Sequence, residues 1–263
     1  MKCFVVSDVH SFYDEMIDAL NKKGFEKDNP QHVFISCGDL LDRGSKPIEC
    51  LKFVLSLPRK ILIRGNHEDL TIDAINRRYF GSHDVHNGTF DTAQILTGIE
   101  YDPKYNNEVI ILENLKDNKL WNDYYNQTID YAETNKYIFT HGWIPTFDED
   151  WHKGDWYSAR WSNGMYQNSI GLNPTGKTIV CGHFHTSWGH SKLHNKGPEW
   201  DDNVKTYENL FGATNLELEH AHFETFKDKG IICLDGCTAI SNIVNCEVLT
   251  IGKEQLKPWL NLQ

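Results

Sequence analysis

The sequence predicts an α/β fold with a largely parallel sheet covered on both faces. Three observations predict it. Strand and helix patterns alternate over the first 70 residues, short apolar runs return beyond residue 135, and segments rich in Asp, Asn or His follow those runs. Alternation of this kind makes consecutive strands parallel and sends the connecting helices across the sheet faces. With 263 residues the chain is long enough for one large core.

Residues 2–7 are a short apolar strand. Residues 13–23 carry Met16, Ile17 and Leu20 at helical spacing, and Gly24 stands where a helix stops. His32–Cys37 is a second strand. Ile48, Leu51, Val54 and Leu55 mark a second helix, with Ser45 as its cap, Pro47 in its first turn and Pro58 beyond its end. Residues 60–64 form a third strand. After Asn66 the pattern changes. Residues 68–132 are rich in Asn, Asp and Tyr and read as an inserted helical cap, with Tyr79, Phe80, Trp121, Tyr124 and Tyr125 as its small core. Strands return at 136–140, 177–181, 230–234 and 245–251. Residues 186–229 are polar and read as a second, irregular insertion. No repeat or Pro/Gly/Ser-rich linker divides the chain, so 1–263 reads as one domain carrying two insertions.

The net charge is −11, which excludes a non-specific nucleic-acid binder, because phosphate neutralisation needs a basic surface. No run approaches the roughly 18 apolar residues that span a bilayer. The first residues have no long apolar leader, and the expected location is cytoplasmic. Seven cysteines without a CxxC pair read as buried, reduced thiols.

Five segments follow strands: Ser7-Asp8-Val9-His10, Gly38-Asp39-Leu40-Leu41-Asp42-Arg43-Gly44, Arg64-Gly65-Asn66-His67-Glu68, Thr140-His141-Gly142 and Cys181-Gly182-His183-Phe184-His185. Open α/β sheets bind ligands at the carboxyl ends of their strands, so these segments are expected to converge. Asp8, His10, Asp39, Asn66, His141, His183 and His185 are too many ligands for one tetrahedral ion. They suit two divalent metal ions sharing a bridging carboxylate, and imidazole with carboxylate suits Mn, Fe or Zn. The remaining histidines, His83, His86, His152, His190, His194, His220 and His222, lie in polar segments and are expected to be solvated. Trp151, Trp156, Trp161 and Trp188 are expected to pack the rim of the cleft.

In this order, Asp-x-His, Gly-Asp-x-x-Asp-Arg-Gly, Gly-Asn-His-Glu, His-Gly and Gly-His-x-His resemble the calcineurin-like metallophosphoesterase superfamily. The longer forms are most similar to its phosphoprotein phosphatase branch, which includes bacterial Ser/Thr protein phosphatases, and to symmetrical diadenosine tetraphosphatases. The resemblance implies a sandwich of two mixed β-sheets flanked by helices. It implies that Asp8, His10 and His185 hold one metal, that Asp39 bridges, and that Asn66, His141 and His183 hold the other. His67 becomes the general acid, oriented by Asp42, while Arg43 and Arg64 grip phosphate and Arg160 adds a third contact.

The implied activity is hydrolysis of a phosphorylated substrate, phosphoprotein or nucleotide, by metal-activated water. The first reading is a Ser/Thr phosphatase-type phosphomonoesterase. The alternative is a dinucleoside tetraphosphatase, nucleotidase or phosphodiesterase on the same site, because Gly-His-x-His is commoner in the wider superfamily. A non-catalytic phosphate-binding module is the distant alternative, and such proteins lose a ligand or the acid. Ser11 stands where the branch has Gly, and residues 186–229 have no clear counterpart there.

Overall fold

The computed structural model describes residues 1–200 and 221–260. Among these described residues ten strands make two five-stranded sheets. In chain order these are β1 (Lys2–Val6), β2 (His32–Cys37), β3 (Lys60–Ile63), β4 (Thr128–Ile129), β5 (Ala132–Glu133), β6 (Tyr137–Phe139), β7 (Thr178–Cys181), β8 (Phe226–Asp228), β9 (Ile231–Cys233) and β10 (Cys246–Thr250). The first sheet runs β10-β1-β2-β3-β4, with only β10 antiparallel to its neighbour. The second runs β5-β6-β7-β9-β8, with parallel pairs at its centre and antiparallel strands at both edges.

Alternation along the strands builds the layers. Cys3, Val5, Val33, Ile35, Cys37, Ile61 and Ile63 of the first sheet pack against Ala132, Phe139, Val180 and Leu234 of the second segment set. The opposite face of the first sheet presents Phe4, Val6, Phe34 and Leu62 to helices. That face of the second sheet presents Ile138, Ile179, Cys181, Phe226 and Ile231 to Trp143, Trp156, Ala159 and Met165. The result is the expected pair of mixed sheets flanked by helices. All seven cysteines are buried and none forms a disulfide.

Seven helices accompany the first sheet: α1 (Tyr13–Lys22), α2 (Pro47–Ser56), α3 (Asn66–Arg77), α4 (Ser82–His86), α5 (Thr89–Thr97), α6 (Glu108–Lys116) and α7 (Lys119–Tyr125). Met16 and Leu20, one helical turn apart, bury the inner face of α1, and Gly24 follows its end at φ 78°. Ser45 does not cap α2. Lys46 holds the N-cap position without a side-chain bond, and Pro47 at the start needs no donor partner.

Helices α5 to α7 do not enclose a core of their own. Ala93, Leu96, Ile111, Leu115, Trp121 and Tyr124 lie in the same cluster as Phe4, Phe34 and Leu62. The end of the segment expected to be helical, 68–132, instead contains β4 and the start of β5, which join one sheet each. Two-residue strands are too short to show alternation in a sequence. The expected irregular stretch also contains the helix α8 (Thr186–Lys192) and strand β8, while residues 201–220 of it lie outside the described residues.

Candidate active site

The strand registers bring Val6 beside Ser36 and Cys37 beside Ile63, so the loops after β1, β2 and β3 leave one edge together. Phe139 beside Val180 and Cys181 beside Cys233 do the same for the loops after β6, β7 and β9. These loops are strained. Asp8, His10, Asp39, Asp42, Arg43 and His183 all have φ between 50° and 75°. A non-glycine residue held there costs about 1–3 kcal/mol and persists only where its surroundings over-determine it.

Glu68 does much of that holding. Its Oε2 accepts from Gly65 N at 2.7 Å and Asp39 N at 3.1 Å, while Oε1 accepts from Leu40 N at 3.1 Å and Tyr124 Oη at 2.9 Å. It is the third residue of α3 reaching back to the N-cap, extended here to a second loop. Gly65 is required by proximity, because a Cβ there would strike the Asp39 carboxylate. Gly182 is likewise required, since its Cβ would strike the Asp8 carboxylate and Ser7 Oγ.

Within this edge the ligand atoms gather around Asp39. Its Oδ2 lies 3.3 Å from His141 Nε2, 3.8 Å from His67 Nε2 and 3.9 Å from His10 Nε2. Two metal-competent groups result among the described residues, His10–Asp39–His67 and Asp39–His141–His183, each with its ligand atoms within 4.8 Å of one another. Asn66 Oδ1 sits 2.7 Å from His141 Nε2 and 2.9 Å from His183 Nδ1. The outer nitrogens of two rings are engaged by backbone carbonyls: His10 Nδ1 by Leu41 O at 3.0 Å and His141 Nδ1 by Cys37 O at 2.8 Å. This is the supporting contact that metal-binding imidazoles use to fix ring orientation. Asp8 is in neither group, and its two oxygens accept the His183 N–H at 3.1 and 3.0 Å.

The electrostatics are those of a buried anionic cluster. Burial, then Asp235, pushes the Asp8 carboxyl well above the usual carboxylate range. Burial would raise Asp39 too, but the His141 and His67 rings hold it well below that range. Burial works against the charged His141 ring, yet Asp39 raises it to about 10. Burial, then Arg43, drives His10 well below the ordinary imidazole value, and burial brings His183 down to about 3. Asp235, which sequence reasoning missed, is buried and raised by burial. It follows β9 as the other site residues follow their strands, and that position was its signal.

The remaining expected residues divide. His67 Nδ1 meets Asp42 Oδ2 at 2.7 Å. Arg43 reaches over both rings, with one terminal nitrogen 3.2 Å from His10 Nε2 and the other 3.4 Å from His67 Nε2. Arg64 instead donates to Thr128 Oγ1 at 3.1 Å and lies 4.5 Å over the Tyr125 ring. Arg160 is buried between Asp69, at 2.6 Å, and Asp130, at 2.9 Å. His185 also stands outside both groups. Its Nδ1 meets Ser187 Oγ at 2.8 Å and its ring stacks on Phe184.

A cleft of about 820 Å³ opens over the cluster, lined among others by Arg43, Trp161, His183, His185, Trp200 and Asp235. Neither Arg64 nor Arg160 lines it. Of the four tryptophans expected at the rim only Trp161 lines it, while Trp151, Trp156 and Trp188 pack with the core behind the second sheet. His86 is exposed at the cleft wall, in keeping with the solvated reading, whereas His190 is buried and departs from it, and His220 lies outside the described residues.

A profile for calcineurin-like phosphoesterases matches residues 1–204 of the chain. The chain belongs to that family. Over 72 residues it is 42% identical to the asymmetrical bis(5'-nucleosyl)-tetraphosphatase PrpE of Bacillus velezensis, a match covering 24% of this chain and 29% of that protein. Over 71 residues it is 37% identical to serine/threonine-protein phosphatase 2 of Salmonella typhimurium, covering 27% and 31%. The match thus spans less than a third of either relative. The solved structure of a cold-active protein-tyrosine phosphatase from a Shewanella species is similar with a TM-score of 0.47 and 19% identity, over 70% of this chain and 65% of that one. Among the described residues no helix is long and apolar enough to cross a membrane.

Proposed function

We propose that the chain is a phosphoester hydrolase with a dinuclear metal site, and that it acts as a phosphomonoesterase of the Ser/Thr phosphatase type. The observation that carries this reading is the sharing of Asp39 between two groups of ligand atoms. The donors suit the ions. Three buried carboxylates, Asp8, Asp39 and Asp235, stand among imidazole nitrogens, an arrangement that a cation stabilises and that suits Mn, Fe or Zn. Asp8, His10 and Asp39 would hold one ion, and Asp39, Asn66, His141 and His183 the other. His185 would join the first set only by turning away from Ser187.

Such ions supply charge neutralisation for the phosphate and make water acidic enough to provide hydroxide near neutral pH. The chain's own groups do the rest. Arg43, the guanidinium above the His10 and His67 rings, donates to phosphate oxygens in a planar fork. His67 gives a proton from Nε2 to the leaving oxygen while Asp42 fixes the ring through Nδ1. Arg160, with two of its nitrogens on Asp69 and Asp130, ties α3 to the segment after β4 and leaves the phosphate to Arg43.

A nucleotide or dinucleoside polyphosphate is the second reading. It is favoured by Trp161 and Trp200, whose rings lie 5.7 Å from His183 and 5.6 Å from His185 and offer surfaces for base stacking. Assay of Mn²⁺-loaded protein with a phosphoserine peptide, p-nitrophenyl phosphate, AMP and diadenosine tetraphosphate tests both. Turnover of the peptide supports the first reading and cleavage of the tetraphosphate the second. No turnover of any substrate by protein carrying two metals per chain would rule out both.

A further inference from the structure

We propose that Asn87 and Gly88, between α4 and α5, together with Thr89 at the start of α5 form a positioning clamp for Asp42 and Arg43, and through Asp42 for the ring of His67. The proposal rests on the reading of His67 as proton donor. These three consecutive residues each touch the pair. Thr89 Oγ1 donates to Asp42 Oδ2 at 2.7 Å, the same oxygen that receives His67 Nδ1 at 2.7 Å. Gly88, at φ 87°, lies so close that a Cβ would strike Arg43 N and approach Arg43 Cα to 2.9 Å. Asn87 Oδ1 lies 3.5 Å from a terminal nitrogen of Arg43.

The clamp answers a need that the loop itself leaves open. Asp42 and Arg43 are both left-handed, at φ 75° and 63°, so they require support from outside. Asp42 Oδ1 is buried and has no hydrogen-bond partner among the described residues. Both contacts to the carboxylate therefore fall on one oxygen, and Thr89 is what opposes its rotation away from His67. Without the hydroxyl, the carboxylate can turn to relieve its unpartnered oxygen, and the imidazole loses its fixed direction. Val85, His86, Asn87, Gly88 and Asp91 also line the cleft, so a substrate group resting on that wall bears on the proton donor.

The test compares Thr89→Val, which keeps volume and removes the hydroxyl, with Thr89→Ser and with His67→Asn in the Mn²⁺-loaded protein. Thr89→Ala replaces the valine variant if the valine fails to fold. Loss of orientation predicts a fall in kcat on phosphoserine of roughly 10- to 100-fold, with KM unchanged, and a fall below about threefold on p-nitrophenyl phosphate, whose leaving group needs little help. Thr89→Ser restores the parent rate on phosphoserine. Equal losses on the two substrates, or no loss where His67→Asn shows one, would overturn the clamp. A second readout separates this from failure of the acid reading: the proton resonance of His67 Nδ1–H, assigned by its loss in His67→Asn. It shifts in Thr89→Val and stays in Thr89→Ser. An unmoved resonance in Thr89→Val overturns the clamp whatever the kinetics, while equal losses in His67→Asn itself overturn only the acid role.

Discussion

The two sheets contribute to one site in different ways. The first supplies Asp8, His10, Asp39, Asp42, Arg43, Asn66 and His67, and its loops are bound to each other. Glu68 alone joins Asp39, Leu40 and Gly65. The second supplies His141, His183, His185 and Asp235, and its loops are bound to the first sheet. His141 Nδ1 meets Cys37 O, the His183 N–H meets Asp8, and Thr238 Oγ1 donates to Asp8 O at 2.9 Å. The first edge is a cradle formed by its own chain segments. The second is a set of side chains docked onto it, positioned by the packing of the sheets.

The sharpest way to break this comparison is Asp39→Asn, which removes the carboxylate common to both groups. It is expected to abolish metal stoichiometry and turnover together, measured by elemental analysis and by hydrolysis. Two metals and full activity in the variant would refute the bridging role. His67→Asn comes next. Turnover is expected to fall by roughly 10²- to 10⁴-fold, the range for loss of a general acid, with both metals retained. The loss is smaller for p-nitrophenyl phosphate than for an alkyl phosphate, and equality between them would count against proton donation.

Glu68→Ala attacks the cradle itself. It leaves three buried N–H groups without their acceptor, each worth about 1–3 kcal/mol, so a total of about 3–5 kcal/mol is expected once losses overlap. Denaturant unfolding measures it, and a change under about 1 kcal/mol would show that the cradle does not depend on this residue. The smallest effect is expected from His185→Ala. Since its ring faces Ser187 and Phe184, the variant should keep two metals and lose less than about tenfold in turnover. A drop to one metal would make His185 a metal ligand.

Much of this was legible. Expected strands lie within about a residue or two of those observed because both faces of each sheet are buried and each strand is a short apolar run. The five segments were legible because each places Asp, Asn or His immediately after such a run, and four of the five add a glycine. What escaped are contacts with no local mark. Arg160 finds Asp69 across 91 positions, and Thr89 finds Asp42 across 47. Nothing local to Glu68 announces that it also serves the loop 28 to 29 positions earlier. Asp235 has no His, Asn or second Asp beside it to mark it, and Trp121 and Tyr124 read as part of a separate core because the cluster they join, with Phe4 and Phe34, is assembled from distant segments.

The contact between Asp8 and Thr238 bridges 230 positions, and that between Asp8 and His183 bridges 175. Contacts this distant must await loop closure before they reward the chain, which slows folding. The ligand cluster is therefore a late product of folding. A cation arriving early meets only the half-site of the first sheet, and refolding in the presence of metal should be limited by the docking of the second sheet, with uptake of the full complement as its final event.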